Sequence, residues 1–497
     1  MKGGSIVTVN EANQYIQINK EKVINRYRHN YHVMAPIGWI NDPNGFSLFK
    51  DEYHLFYQYY PYDSEWGPMH WGHAKSKDFI KWETLPVALA PDQPYDAGGC
   101  FSGSAMQIGE ELYLMYTGHT DPDKENPEAV REVQCLAKST DGIAFEKCSK
   151  NPVISSDEVP GHARIQDFRD PKIWEKDGKY YVVIGSKRKD YKGQILFYTS
   201  EDLENWKYLN RFTLEEDFGT VWECPDLFML DCRDVLIMSP QLLPEGKYGS
   251  QNIYACIAAI GNFDYSTGDY HVEHYQQLDS GFDFYAPQTV KAKDGRRIMI
   301  GWMNMWERES PLKDLGHYWR GSMTLPRELF IKSNKVYQQP VKEIQNYRKN
   351  EEIFYGLNIN EEHSLEHIKL QSHELYIELD NMENKVLDID LFKNGDESLK
   401  LTVDGIKKEV RLDRSNIGYS IESKNKPKDY IRKQSIDSMK EGIKLNIFVD
   451  VSSVEIFIND GEYVMTSLVY PKNEGHIAFR SCDLVTIKKF IKWDICV

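Results

Sequence analysis

The first two thirds of the chain carry short apolar runs, rich in β-branched and aromatic residues, set between polar turns. EYHLFYQYYP begins at residue 52, ELYLMYTGHT at 111, KYYVVIGSKR at 179, RDVLIMSPQL at 233 and RRIMIGWMNM at 296. Such self-similarity is the mark of a repeat architecture. A second motif agrees with it: HAKSKDFIKWE (73–83), LAKSTDGIAFE (136–146) and YTSEDLENWKY (198–208) share Ser-x-Asp, then an aromatic residue four places after the Asp. Several short strands per unit, joined by polar turns, predict antiparallel sheets arranged radially, five units giving a five-bladed β-propeller. A long jelly roll or sandwich is the alternative.

Upstream of each apolar run lies a segment that should open the same unit: NDPNGFSLF, FSGSAMQI, FRDPKIWE, WECPDLFML and FYAPQTVK. In a propeller the first strand of each blade lines the central channel, so its starting residues crowd one end of that channel. These registers put Asp42, Ser102, Asp170, Glu223 and Tyr285 at equivalent places. Three acids converging on one mouth repel one another and cost stability without a purpose, which argues for chemistry.

The C-terminal third reads differently. HELYIELD, KVLDIDLF and KLNIFVDVSSVEIFINDGEYVMTSLVYP alternate with a two-residue period and turn on Asn-Asp-Gly, predicting an antiparallel β-sandwich. The expected organisation is an N-terminal helical extension (1–30), a propeller carrying the catalytic groups (31–337), a linker helix (338–350) and the sandwich (351–497). The fold class is all-β. The sandwich is expected to be a buttress or a homodimer surface rather than a sugar-binding module.

Composition narrows the function. At 497 residues the chain is too long for one core. A formal charge of −16 repels phosphate backbones and anionic lipid, so neither nucleic acid nor a membrane surface is an expected partner. The first twenty residues lack an apolar signal region and no window has the length of a membrane span, so a cytoplasmic protein is expected. The eight cysteines form no C-x-x-C pair, predicting reduced thiols with neither a zinc site nor a disulfide framework. Aromatic residues reach 13%, which suits stacking on sugar rings as well as packing in a β core.

Two carboxylates facing each other across a small sugar are what glycoside hydrolysis needs, one as nucleophile or base and one as proton donor with a raised pKa. No cofactor or metal is required.

At this point the blocks WINDPNG (39–45), FYQYYP (56–61), WGHAKSKDFIKW (71–82), FSGSA (101–105), FRDPK (168–172), WECPD (222–226), GRRIMIGWM (295–303) and TLPREL (324–329) resemble, in order, the signature of glycoside hydrolase family 32. Its members are invertases, sucrose-6-phosphate hydrolases and fructan hydrolases. The resemblance implies a retaining enzyme releasing terminal β-D-fructofuranosyl units from sucrose and short fructooligosaccharides. Asp42 would be the nucleophile, Glu223 the acid/base and Asp170 the transition-state stabiliser, with the Asp42 and Glu223 carboxyls about 5–5.5 Å apart. Implied substrate contacts are Asn41, Gln58, Trp66, Phe101, Ser102, Arg169, Tyr285 and Trp302; Trp39 is either wall or core. Tyr60 departs from the His that many relatives carry. A non-catalytic fructan-binding propeller would need the aromatics but not all three acids.

The alternative substrate is sucrose 6-phosphate. The loop SKRKDYKG (186–193) carries Lys187, Arg188, Lys189 and Lys192 on the expected active face, where they could hold a phosphate. Trp306, in the corresponding loop of blade five, would instead stack a neutral ring.

Overall fold

The computed structural model describes residues 7–497. Five four-stranded antiparallel sheets succeed one another in chain order, from the innermost strand outward. The innermost strands are Gly38–Phe49, Gly99–Ile108, Ala163–Lys176, Trp222–Leu230 and Tyr285–Lys291, and the apolar runs form the second strands. The first sheet takes a fifth strand, Trp319–Arg320, parallel to Gly38–Trp39. The fold is therefore all-β, a propeller followed by a sandwich.

The Ser-x-Asp repeat has one physical cause. In each of the first three blades the aspartate closes the turn between third and fourth strands: Asp78 Oδ1 accepts from the amides of Ile80 and Lys81, Asp141 Oδ1 from Ile143 and Ala144, Asp202 Oδ1 from Glu204 and Asn205. Short acidic side chains favour such turns because they satisfy backbone donors locally.

The innermost strands share a defect and a belt. Each is bulged at the active mouth, where its register against the second strand slips around Asn41–Asp42, Ser102, Asp170–Pro171, Cys224–Pro225 and Ala286–Pro287. A bulge re-aims a side chain and tolerates the proline that an unbroken central strand would not. Two residues beyond each bulge position stand Asn44, Ser104, Lys172, Asp226 and Gln288, which tie neighbouring blades together. Asn44 accepts from Gly103 N, Ser104 from Ile173 N, and Gln288 donates to Gly103 O while accepting from Phe46 N. Lys172 and Asp226 form a buried ion pair at 3.0 Å.

A helix, Val9–Asn19, opens the described chain, capped by Thr8 and Glu11 and burying Ala12 and Ile16 on one face. Residues 1–6 of the expected N-terminal extension lie outside the described residues. Between propeller and sandwich the helical turn occupies only Lys342–Tyr347, because Gln338–Pro340 still pair with Arg327–Leu329 in blade five and Arg348 opens the first sandwich strand.

The sandwich comprises two six-stranded sheets around an aliphatic core that includes Leu375, Leu401, Ile447 and Ile477. The other face of one sheet packs on the propeller, where Phe448, Phe457 and Val464 join Ile40, Tyr57 and Ile300 in one cluster. Among the described residues, no helix is long and apolar enough to cross a membrane.

Candidate active site

The bulged ends of the innermost strands surround a cavity of about 520 Å³. Asn41, Asp42, Gln58, Trp66, Phe101, Ser102, Arg169, Asp170 and Glu223, all expected from sequence, line it. Asp42, Asp170 and Glu223 are each less than one tenth exposed. Asp42 Oδ2 accepts from Ser102 Oγ at 2.8 Å and faces the Cys224 thiol at 3.5 Å. Its other oxygen, Oδ1, is buried without a partner. Asp170 Oδ2 accepts from Cys224 N at 2.9 Å, and its backbone is held at φ 65°, a costly region for a residue other than glycine.

Glu223 is gripped on both sides. Oε1 accepts from Arg169 Nη2 at 2.9 Å and Nε at 3.2 Å; Oε2 lies 2.8 Å from the Tyr285 hydroxyl, which is also 2.8 Å from Ser239 O. One hydroxyl proton serves one acceptor at a time, so Tyr285 suits either protonation state of Glu223. Arg169 in turn meets Glu132, 3.2 Å from Nη1.

Crowding shows in the titration of the acids. Burial, then the charge of Glu223, lifts Asp42 to about 6 against the hydrogen bond from Ser102. Burial lifts Asp170 further, to about 8; Arg169 opposes the rise, and Glu223 and Asp42 add to it. Asp42 and Asp170 each resist ionising in this company.

Three sequence expectations need correction. First, the strand starts align one residue differently. The bulge places Asp42, Ser102, Asp170, Cys224 and Ala286 in equivalent slots, each followed by proline or glycine, so Glu223 and Tyr285 share the slot of Asn41 and Arg169. Secondly, Tyr285 and Trp302 are not walls of the cavity. Tyr285 is 1% exposed and supports Glu223 from behind, while Trp302 is fully buried, edge-on to Trp39 and Trp306. Thirdly, cations of the loop 186–193 are already engaged: Lys187 with Asp167, Arg188 with Asp190 and Glu215, and Lys192 with Glu215.

The remaining positions are clear. Trp39 is core, and its indole donates to Asn41 Oδ1 at 2.8 Å, fixing that amide. Gln58 is fixed by donation to Cys100 O. Trp66, 46% exposed, stands at the rim edge-on to Phe101. Tyr60 lies on the far side of Trp66, in an adjoining depression, not in the cavity. Trp306 does line the wall and stacks on Trp39.

Sequence reasoning missed His119, Val130, Glu132, Gln166, Gln241, Tyr254, Glu307 and Lys424. His119 stacks flat on Phe101, centroids 4.1 Å apart. Glu132 gave no signal: in REVQCLAKS it and Gln134 alternate with apolar residues like an outward face, yet both are buried.

This fold, with three crowded acids at one mouth of a propeller, defines a glycosidase, and known relatives place its substrates among the fructosides. The chain belongs to family 32 of the glycosyl hydrolases: the N-terminal domain of that family matches residues 32–340 and the C-terminal domain residues 343–493. It is 38% identical to a sucrose-6-phosphate hydrolase of Zymomonas mobilis over 464 residues, covering 90% of this chain and 87% of that one. Among solved structures it resembles a sucrose-6-phosphate hydrolase from Lactobacillus gasseri (TM-score 0.86, 29% identity, 98% of this chain and 99% of that). It also resembles a variant of a Bombyx mori β-fructofuranosidase in complex with sucrose (TM-score 0.82, 36% identity, 98% of both chains). The substrate is thus a small sugar.

Proposed function

We propose that the protein is a retaining β-fructofuranosidase acting on sucrose and short fructooligosaccharides, with catalysis in residues 31–337. The observation that carries this reading is the meeting of Asp42, Asp170 and Glu223 on the wall of one cavity, with Asp42 held in place by the hydroxyl of Ser102. The Asp42 carboxylate attacks the anomeric C2 while the bond from C2 to the leaving oxygen breaks and Glu223 gives that oxygen its proton. Glu223, again a carboxylate, then takes a proton from water; the resulting hydroxide attacks C2, freeing fructose and Asp42. Asp170 holds fructose hydroxyls and Arg169 steadies Glu223. Asn41 and Gln58, each fixed by a hydrogen bond, offer further polar contacts to the same ring.

Stereochemistry tests the mechanism. Hydrolysis of sucrose in the presence of methanol, followed by NMR, should give methyl β-D-fructofuranoside; the α anomer would overturn the double displacement.

Sucrose 6-phosphate is a second reading, favoured by the names of the relatives and by the presence of a lysine, Lys424, on the cavity wall. The same fructosyl site serves both leaving groups. We assign the sandwich a structural role and a dimer surface at its edge strand Arg348–Ile359, where Ile353 and Tyr355 are exposed. Sedimentation of wild type and Tyr355→Glu checks it, the variant being expected to dissociate. A cytoplasmic location suits a phosphorylated substrate; fractionation of the host cell tests it.

A further inference from the structure

Beyond Trp302, the blade-five connection runs out to the rim and pairs there with the other domain. Arg308–Glu309 form an antiparallel ladder with Glu422–Ser423, and Lys424 N donates to Glu307 O at 3.0 Å. Lys424, a sandwich residue, thereby stands on the wall of the catalytic cavity beside Trp306 and Glu307. The ladder rests on buried charge: Arg308 is 4% exposed and meets Asp429, which Arg432 also holds, and Arg308 and Arg432 both donate to Asn252 of the propeller. A surface loop so anchored presents its lysine at a fixed place.

The charge inventory of the cavity gives that lysine a purpose. Asp42, Glu132, Asp170, Glu223 and Glu307 line it, and one oxygen of Glu307 is buried with no partner. Arg169, the other cation of the wall, is held between Glu132 and Glu223. Lys424 is exposed and makes no ion pair among the described residues, so of the cations of this wall it alone is free to meet a ligand charge. Glu307 itself sits at φ 73°, a conformation that a non-glycine residue holds only when its surroundings impose it. In the fructosidase reading the fructosyl unit sits against the acids, which leaves the rim to the leaving group.

We propose that Lys424 is a specificity-determining residue, delivered by the sandwich domain, whose ammonium binds the phosphate of a 6-phosphorylated glucosyl leaving group. The inference rests on the fructosidase reading above. Among the charged groups of this wall, a phosphate dianion without Lys424 meets carboxylates and an arginine already held between two of them. A lysine, a point charge on a flexible stem, suits a phosphate that needs no bidentate geometry.

The test is the ratio of kcat/KM for sucrose 6-phosphate to kcat/KM for sucrose, measured at low and high salt on wild type, Lys424→Ala, Lys424→Arg and Lys424→Glu. Losing one charge-assisted contact predicts a ratio lowered about 10- to 100-fold in Lys424→Ala, more in Lys424→Glu, and largely retained in Lys424→Arg. Added salt should lower the wild-type ratio and leave that of Lys424→Ala nearly flat. Lys428→Ala, at an exposed lysine of the same loop, should keep the wild-type ratio. Sucrose turnover with an equal ratio in wild type and Lys424→Ala overturns the role of Lys424 alone; no turnover of either sugar by wild type overturns the fructosidase reading and the role with it.

Discussion

Two buried clusters of ionisable groups lie in this molecule, and they are built on opposite rules. At the seam between propeller and sandwich, His32 bridges Asp450 (2.8 Å) and Glu455 (2.9 Å), and Arg327 joins Glu455 (2.6 Å) to Asp279 (3.1 Å). Every charge there has an opposite neighbour. At the mouth of the cavity, of Asp42, Asp170 and Glu223 only Glu223 pairs with a cation, Arg169, among the described residues, and an oxygen of Asp42 has no partner. Burial raises both sets of acids, but at the seam His32 and Arg327 reverse it for Asp450 and Glu455, whereas at the mouth the acids raise one another. Full pairing marks the seam between the domains; withheld pairing marks the mouth proposed to be catalytic.

The largest break in this comparison is Asp42→Asn or Glu223→Gln. Each should lower kcat for sucrose on the order of 10⁴-fold or more, with circular dichroism unchanged. Asp42→Asn should also raise the melting temperature at pH 7.5, because a carboxylate that costs on the order of 1–3 kcal/mol to keep ionised is removed. Near-wild-type turnover refutes the catalytic assignment; a lowered melting temperature refutes the claim that the site is strained by its own charge.

The seam should respond with the opposite sign. Arg327→Ala leaves Glu455 and Asp279 buried and short of a partner, at a cost of about 3–5 kcal/mol, read as a drop in melting temperature. Enzyme that remains folded at 25 °C should keep kcat within a few-fold, since Arg327 does not line the cavity. A melting temperature like that of wild type would show that the pairing is idle.

The pH dependences should also run in contrary directions. Burial pushes His32 down, but the bonds to Asp450 and Glu455 outweigh it and lift it to about 9. Its contribution to stability is therefore complete below the unfolded value near 6.5 and is lost as pH rises through about 9. Asp42, as the proposed nucleophile, has to be ionised, so kcat/KM should fall as pH drops through about 6. Melting temperature between pH 6 and 10, and kcat/KM between pH 4.5 and 8, measure the two limbs. A stability limb centred below pH 7, or an activity limb near pH 4, would break the assignment.

Asp170→Asn is a finer cut. The residue accepts from Cys224 N and lies deep among the acids, where contacts to fructose hydroxyls tighten as positive charge develops. kcat should fall more than KM rises; an effect confined to KM would make Asp170 a ground-state binder.

The contrast also explains what was legible in the sequence. Blades and acids announce themselves because each is a local pattern: an apolar run, an Asx turn, an acid at a strand start. The one-residue error in register arose because bulges break the two-residue period where the acids sit. Aligning Pro43, Gly103, Pro171, Pro225 and Pro287 recovers it. The seam and the rim were illegible for another reason. His32 meets Asp450 across 418 residues and Lys424 reaches the cavity through a ladder between domains, and no local pattern encodes such meetings.

The smallest expected effect sharpens the comparison at the surface. Lys187 and Arg188 stand on the active side of blade three, and by sequence alone they are better phosphate ligands than a lone lysine in the other domain. Their charges are committed, however: Lys187 lies 3.2 Å from Asp167, and Arg188 lies 2.7 Å from Asp190 and 3.1 Å from Glu215. Glu215 is itself 84% exposed, so that pair is screened and worth about 0–1 kcal/mol. Arg188→Ala should therefore shift stability by less than about 1 kcal/mol, and both Lys187→Ala and Arg188→Ala should leave the ratio of sucrose 6-phosphate to sucrose turnover nearly unchanged. A selective loss of phosphorylated substrate in either variant, matching the loss expected for Lys424→Ala, would mean that the carboxylates release these cations on binding, and would move the phosphate contact from the sandwich to blade three.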